Sequence, residues 1–92
     1  MFFDRNMKIE KKVWSEYFQK ILDGDKQFEL RLADFDCKLG DVLVLKEWDN
    51  ERKEFTGRSV EKEVTFVFKT KDQKFWPEDE VKKYGYQILS LK

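Results

Sequence analysis

Polar and apolar residues roughly alternate along MKIEKKV (residues 7–13), and this period of two predicts a first strand after a short leader. The period then changes. Trp14, Phe18, Ile21 and Leu22 follow the i, i+4, i+7, i+8 spacing of one helical face, while Glu16, Gln19, Lys20 and Asp23 fall on the other. A helix of about nine residues is expected there, with Ser15 as its N-cap and Gly24 as a left-handed stop. KQFELRL (26–32) returns to alternation and predicts a half-buried strand, with Phe28, Leu30 and Leu32 on the core side and Gln27, Glu29 and Arg31 on the other. In the connection ADFDCKLGD, Phe35 and Leu39 are expected to pack inward, and Gly40-Asp41 turns the chain into VLVLKEW (42–48). That run is short, apolar, partly β-branched and bounded by turn residues, which predicts a buried strand.

DNERKEFTG reads as a loop or wide hairpin, and RSVEKEVTFVFK (58–69) as one long or bent strand with Val60, Val64, Phe66 and Phe68 in phase. Pro77 suits the first turn of a helix, Glu78, Asp79 and Glu80 suit its positive end, and Lys82, Lys83 and Gly85 close it, so WPEDEVKKYG predicts a second short helix. YQILSLK (86–92) reads as a last strand. Strands outnumber helices, and most connections look too short for parallel crossovers. The expected fold is therefore α+β, a mixed and strongly curved sheet or small β-barrel of five or six strands with two short helices.

Composition narrows this reading. With 92 residues the chain has room for a single domain, residues 1–92, and nine Phe, three Trp and three Tyr supply its core. Nineteen basic and nineteen acidic side chains cancel, and they are balanced in both halves, so attraction to a polyanion would have to come from a local patch. The absence of histidine removes Ser-His-Asp triads, Cys-His dyads and the usual Cys/His zinc sites, and the single Cys37 removes an internal disulfide. Cys37 itself, between Asp36 and Lys38, reads as a small loop residue. No apolar run approaches the ~18 residues needed to cross a bilayer, and MFFDRNMK is too short and too charged for a signal peptide. No metal and no cofactor is called for, a monomer is the default, and a soluble cytoplasmic protein is expected.

Gly24, Lys26, Glu29 and Arg31 spell G-x-K-x-x-E-x-R directly after the first helix, and GDVLVL follows at residues 40–45. On spacing alone, the three charges read as an exposed ion pair worth about 0–1 kcal/mol. The motif, however, resembles that of the ASCH superfamily, whose fold is a PUA-like β-barrel. More narrowly, YFQKILDGDKQFELR, LGDVLVLKEWD, EFTGR and the closing GYQILSL are similar to a small family of ASCH-related proteins of bacteria, archaea and phages, DUF3850. The likeness runs from about residue 8 to residue 91.

The resemblance implies a barrel with a cleft beside the first helix where the motif residues gather, and a role in binding RNA or a nucleotide-like small molecule. It also implies a second possibility, because some ASCH-type proteins are amidohydrolases acting on acetylated cytidine through a lysine and a threonine of this motif and a distant glutamate. Lys26 matches that lysine, but Glu29 stands at the threonine position, and no residue is assigned to the distant glutamate beyond Glu78 or Glu80. If the chain is an enzyme, Lys26 and Glu29 are its catalytic candidates. The binding reading is preferred.

In that reading Arg31 holds a phosphate or carboxylate bidentately and Lys26 adds a point charge. Glu29 accepts hydrogen bonds from a base edge or a ribose hydroxyl. Lys26 lies off the strand parity of Glu29 and Arg31, so their convergence requires the glycine turn to swing it round. Trp48, Trp76, Tyr84 and Tyr86 are stacking candidates, although most aromatics in such a chain belong to the core. Arg58, after Thr56-Gly57, is a further candidate for the same cleft, a place that a solvated loop-end arginine explains at least as well. Lys69, Lys71 and Lys74 beside Phe75-Trp76 form a basic-aromatic patch that a solvated turn explains equally well.

Overall fold

The computed structural model describes residues 6–71 and 73–92, so most of the leader lies outside the described residues. Its elements are β1 (Lys8–Trp14), α1 (Ser15–Leu22), β2 (Val42–Asp49), β3 (Glu54–Glu63) and α2 (Glu78–Tyr84). The three strands form one open, mixed sheet in the order β1-β2-β3. β2 and β3 are antiparallel neighbours, paired from Asp49↔Glu54 to Val42↔Glu63 with an irregularity between Lys46 and Trp48. β1 runs parallel to β2, from Lys8↔Val42 to Trp14↔Trp48. The sheet is mixed, as expected, and its one parallel pairing uses the longest connection between strands: residues 15–41, with α1 among them, are long enough to carry the chain back across the sheet.

α1 lies against the sheet, where Phe18 and Ile21 join Val13, Leu43 and Leu45 in the buried core, with Ile9, Cys37, Val60 and Val64 packed around it. Its apolar face is narrower than the spacing predicts, since Trp14 and Leu22 remain 44% and 43% exposed. Ser15 is inside the helix rather than capping it; Trp14 holds the N-cap position, and Ser15 Oγ donates to the Trp48 carbonyl at 3.3 Å. The stop is as expected. Gly24 has φ +80°, its N–H donates to the Ile21 carbonyl and that of Asp25 to the Lys20 carbonyl, a Schellman ending around Asp23.

Two expected strands do not form, and the third ends early. Residues 26–32 and 86–92 carry no ladder, and β3 stops at Glu63 before Phe66 and Phe68. Phe28 is half-buried and Gln27 exposed, as expected, but over 29–32 the faces are inverted: Leu30 and Leu32 are 69% and 80% exposed, while Glu29 and Arg31 turn inward. The cause lies in the side chains. Arg31 Nη2 donates to the Lys12 carbonyl at 2.6 Å, so an acceptor of β1 is met by a guanidinium where a further strand would have offered a backbone N–H. Among the described residues no closed barrel forms. Phe35 is half-buried as expected, but Leu39 is exposed, and α2 has Pro77 at its N-cap position and no buried residue.

Asp41, fully buried, ties three segments together. Its carboxylate accepts the Met7 N–H ahead of β1 and the Lys38 N–H of the connection, both at 2.9 Å, and its carbonyl accepts the Val64 N–H after β3 at 2.7 Å. Gly40 beside it has φ +93°, and a Cβ there would lie 3.0 Å from the Asn6 side chain.

Candidate functional site

The glycine stop of α1 positions the motif. The Lys20 carbonyl at the helix C-terminus accepts N–H bonds from both Asp25 and Lys26, at 3.0 and 3.1 Å, which folds the chain back so that a cation follows the negative end of the helix dipole. Lys26 Nζ then donates to Glu29 Oε1 at 2.6 Å and to the Phe28 carbonyl at 2.7 Å, and it lies 4.7 Å from the centre of the Phe28 ring. Arg31 Nε donates to Glu29 Oε2 at 3.0 Å. The parity mismatch between Lys26 and its partners disappears because the segment is a turn leading into extended chain, not a strand. One carboxylate thus serves two cations, and the cluster carries a formal excess of one positive charge.

The Lys26, Glu29 and Arg31 side chains are 17, 15 and 29% exposed. They form a wall between two clefts. On one side is a cavity of about 470 Å³, backed by Ile21, Leu43 and Leu45 and flanked by Phe28, Phe35 and Phe68. Gly24 and Cys37 also border it. On the other side is a wider groove of about 710 Å³ against Trp14, Tyr17 and Lys20. Lys26, Phe28, Glu29 and Arg31 line both. Lys26 uses two of its three donors and Arg31 two of its five within this cluster, so both retain N–H groups for an incoming acceptor.

Gly24, Lys26, Glu29 and Arg31 are therefore brought together, while Trp48 and Arg58 are not. Trp48, on β2, packs edge-on against Phe55 at 5.0 Å, with Lys12 Nζ 4.2 Å above its ring. Arg58, on β3, clamps Glu47 through Nε–Oε1 at 2.8 Å and Nη2–Oε2 at 3.0 Å and lies 5.1 Å from the Phe18 ring. Neither lines the two clefts. Sequence reasoning missed Glu47. The signal was its parity: Leu43, Leu45 and Glu47 share the buried face of β2, and a carboxylate in that series demands a partner. The Arg58 hydrogen bonds, helped by Thr56, hold its carboxyl at about 2 despite the opposing effect of burial. Cys37 is half-buried, and burial followed by the Asp41 charge pushes its thiol up, the reverse of what a nucleophilic thiolate needs.

The remaining candidates lie further off. Tyr84 stands 74% exposed on α2 with Lys83 Nζ 5.2 Å from its ring centre, and Glu78, on the same helix, faces Lys82 at 3.9 Å. Neither Glu78 nor Glu80 borders the clefts. Among the described residues no group of three His, Cys, Asp or Glu side chains is arranged to hold a metal ion, and no helix is long and apolar enough to cross a membrane.

Comparison with known proteins agrees with the span of this architecture. The family described as "Domain of unknown function (DUF3850)" matches residues 9–91. The chain is also 40% identical over 72 residues to the "Uncharacterized 12.9 kDa protein in GpA 3'region" of Escherichia phage P2. That match covers 78% of the chain and 62% of the phage protein, so the chain spans less than two thirds of that relative's length.

Proposed function

The chain belongs to the DUF3850 family, and on that premise we propose that it is a binding module whose cleft takes a nucleotide, free or as part of an RNA. One observation carries the reading: at the wall of an aromatic-flanked cavity, two cations share a single carboxylate and retain free donors. Such a cluster attracts an anion, and a guanidinium beside an ammonium suits a phosphate. The cavity volume falls within the range of small-molecule sites, and Phe28 and Phe35 line it, with Lys26 Nζ 4.7 Å and Lys11 Nζ 3.6 Å from their respective ring centres. Glu29 keeps lone pairs for a sugar hydroxyl or an exocyclic amine. The ASCH resemblance supports the same reading. The barrel it implies would be completed by segments 26–32 and 86–92 joining the sheet, and the Gln27 N–H, which donates to Ser90 Oγ at 2.8 Å, links those segments.

Titration of nucleoside monophosphates by calorimetry tests the proposal. Lys26→Ala and Arg31→Ala should each weaken binding roughly tenfold or more, the worth of a hydrogen bond to a charged group. Equal affinities for all three proteins, or no binding at millimolar ligand, would overturn it. Release of cytidine from N4-acetylcytidine, lost in Lys26→Ala and Glu29→Ala, would assign the cleft to hydrolysis instead.

A further inference from the structure

Beyond the cleft, five aromatic rings form an unbroken exposed path. Phe66 faces Phe68 at 6.5 Å between ring centres, Phe68 faces Phe75 at 6.0 Å, Phe75 meets Trp76 at 5.9 Å, and Trp76 meets Tyr86 at 6.1 Å. Each is more than half exposed. The first two contacts are near-parallel, with interplanar angles of 30° and 17°. Phe66, Phe68 and Lys69 also line the cavity, so the path starts at its wall. Its basic character is confined to the stretch before Pro77: residues 64–77 hold Lys69, Lys71 and Lys74 against Asp72, whereas Glu78, Asp79 and Glu80 follow.

We propose that this ladder is a track for single-stranded nucleic acid, with bases stacking on the rings and Lys69, Lys71 and Lys74 meeting the backbone phosphates. Exposed ring faces serve unpaired bases, which have free faces of their own; a duplex hides its base faces within the stack. Lysine is depleted from protein–protein contacts, whereas here three of them lie between Phe68 and Phe75 in the sequence. The inference deepens the reading of the cleft as a nucleotide site, since the strand would leave the cavity along this path.

Fluorescence anisotropy with a labelled 12-residue oligouridylate tests the track, with calorimetry of uridine monophosphate run on the same proteins. Phe75→Ala and Trp76→Ala replace exposed rings, and circular dichroism checks that both variants stay folded. Each should weaken oligonucleotide binding roughly tenfold, as the loss of one base–ring stack does, and leave mononucleotide binding unchanged. Lys69→Ala should lower the slope of log affinity against log salt by about 0.7. Oligonucleotide affinity unchanged in the ring variants overturns the track. So does a concentration-dependent self-association removed by Trp76→Ala without oligonucleotide binding, which would make the ladder a contact between copies of the chain. Oligonucleotide binding through the rings without mononucleotide binding upholds the track and removes the cleft proposal alone.

Discussion

Glu29 and Glu47 are both carboxylates met by an arginine, yet their surroundings give them different roles. Glu47 is buried, with Arg58 on both oxygens and the Thr56 hydroxyl added, so its carboxylate is well partnered, and it borders neither cleft. Glu29 sits at a cleft between two cations that still have donors to spare. The first arrangement holds the structure together and the second suits binding. Glu47 gives a pH signature of definite sign. Its carboxyl titrates at about 2 in the fold against an ordinary 4.5, so its stabilisation is fully present above about pH 4.5 and is lost as pH falls toward 2. Asp41, lowered by the Met7 and Lys38 N–H bonds, acts in the same direction. Urea melts between pH 6 and 3 should show falling stability, and Glu47→Gln should be less stable at neutral pH but lose less on acidification. An equal loss in both proteins would remove Glu47 from the account. At this scale the sequence was partly legible: spacing alone left Lys26, Glu29 and Arg31 as an exposed ion pair and the motif's resemblance marked them, while Glu47 passed as one polar residue at the end of an apolar run.

Among the elements, α1 and its ending were the clearest in the sequence because spacing and glycine agreed. The left-handed Gly24 both stops the helix and aims Lys26 at Glu29. No atom lies within 4 Å of a Cβ built there, so Gly24→Ala pays only for backbone conformation, about 1–2 kcal/mol. Gly24→Asn should cost less, since asparagine tolerates that region. Chemical denaturation measures both; similar losses would mean that the stop is not set by the left-handed residue. KQFELRL was misread for a physical reason. Alternation reports which side chains share a face, but a strand also needs a neighbouring edge, and here Arg31 occupies a β1 acceptor. The same reasoning applies to RSVEKEVTFVFK, where the phase of Phe66 and Phe68 continues past the last β3 pair without the ladder that would bury them.

For the whole molecule, the radius of gyration is 15.6 Å, against about 12 Å for a compact chain of this length. Among the described residues five buried apolar side chains make the core, and residues after β3 leave many rings outside it. Composition promised an aromatic core, but it cannot distinguish a ring that fills the interior from one that lines a track. A mixed sheet was expected, but which strand lies parallel to β2 was illegible, because the pattern within each strand says nothing about its direction relative to the next. That pairing governs the order of events as the chain is made. β2 and β3 are linked through a short turn, so they can zip together early, whereas β1 must find partners 34 residues further along. β1 and α1 precede Val42–Asp49 in the chain, so they are translated before the strand that β1 pairs with. In stopped-flow refolding, Leu45→Ala at the centre of the hairpin should slow folding, and Val13→Ala in β1 should mainly speed unfolding. If Val13→Ala slows folding as much, β1 docks before the barrier. If it does not, β1, translated before the hairpin, gains its place after it, and the motif of residues 24–31 that follows β1 is shaped only once the hairpin exists.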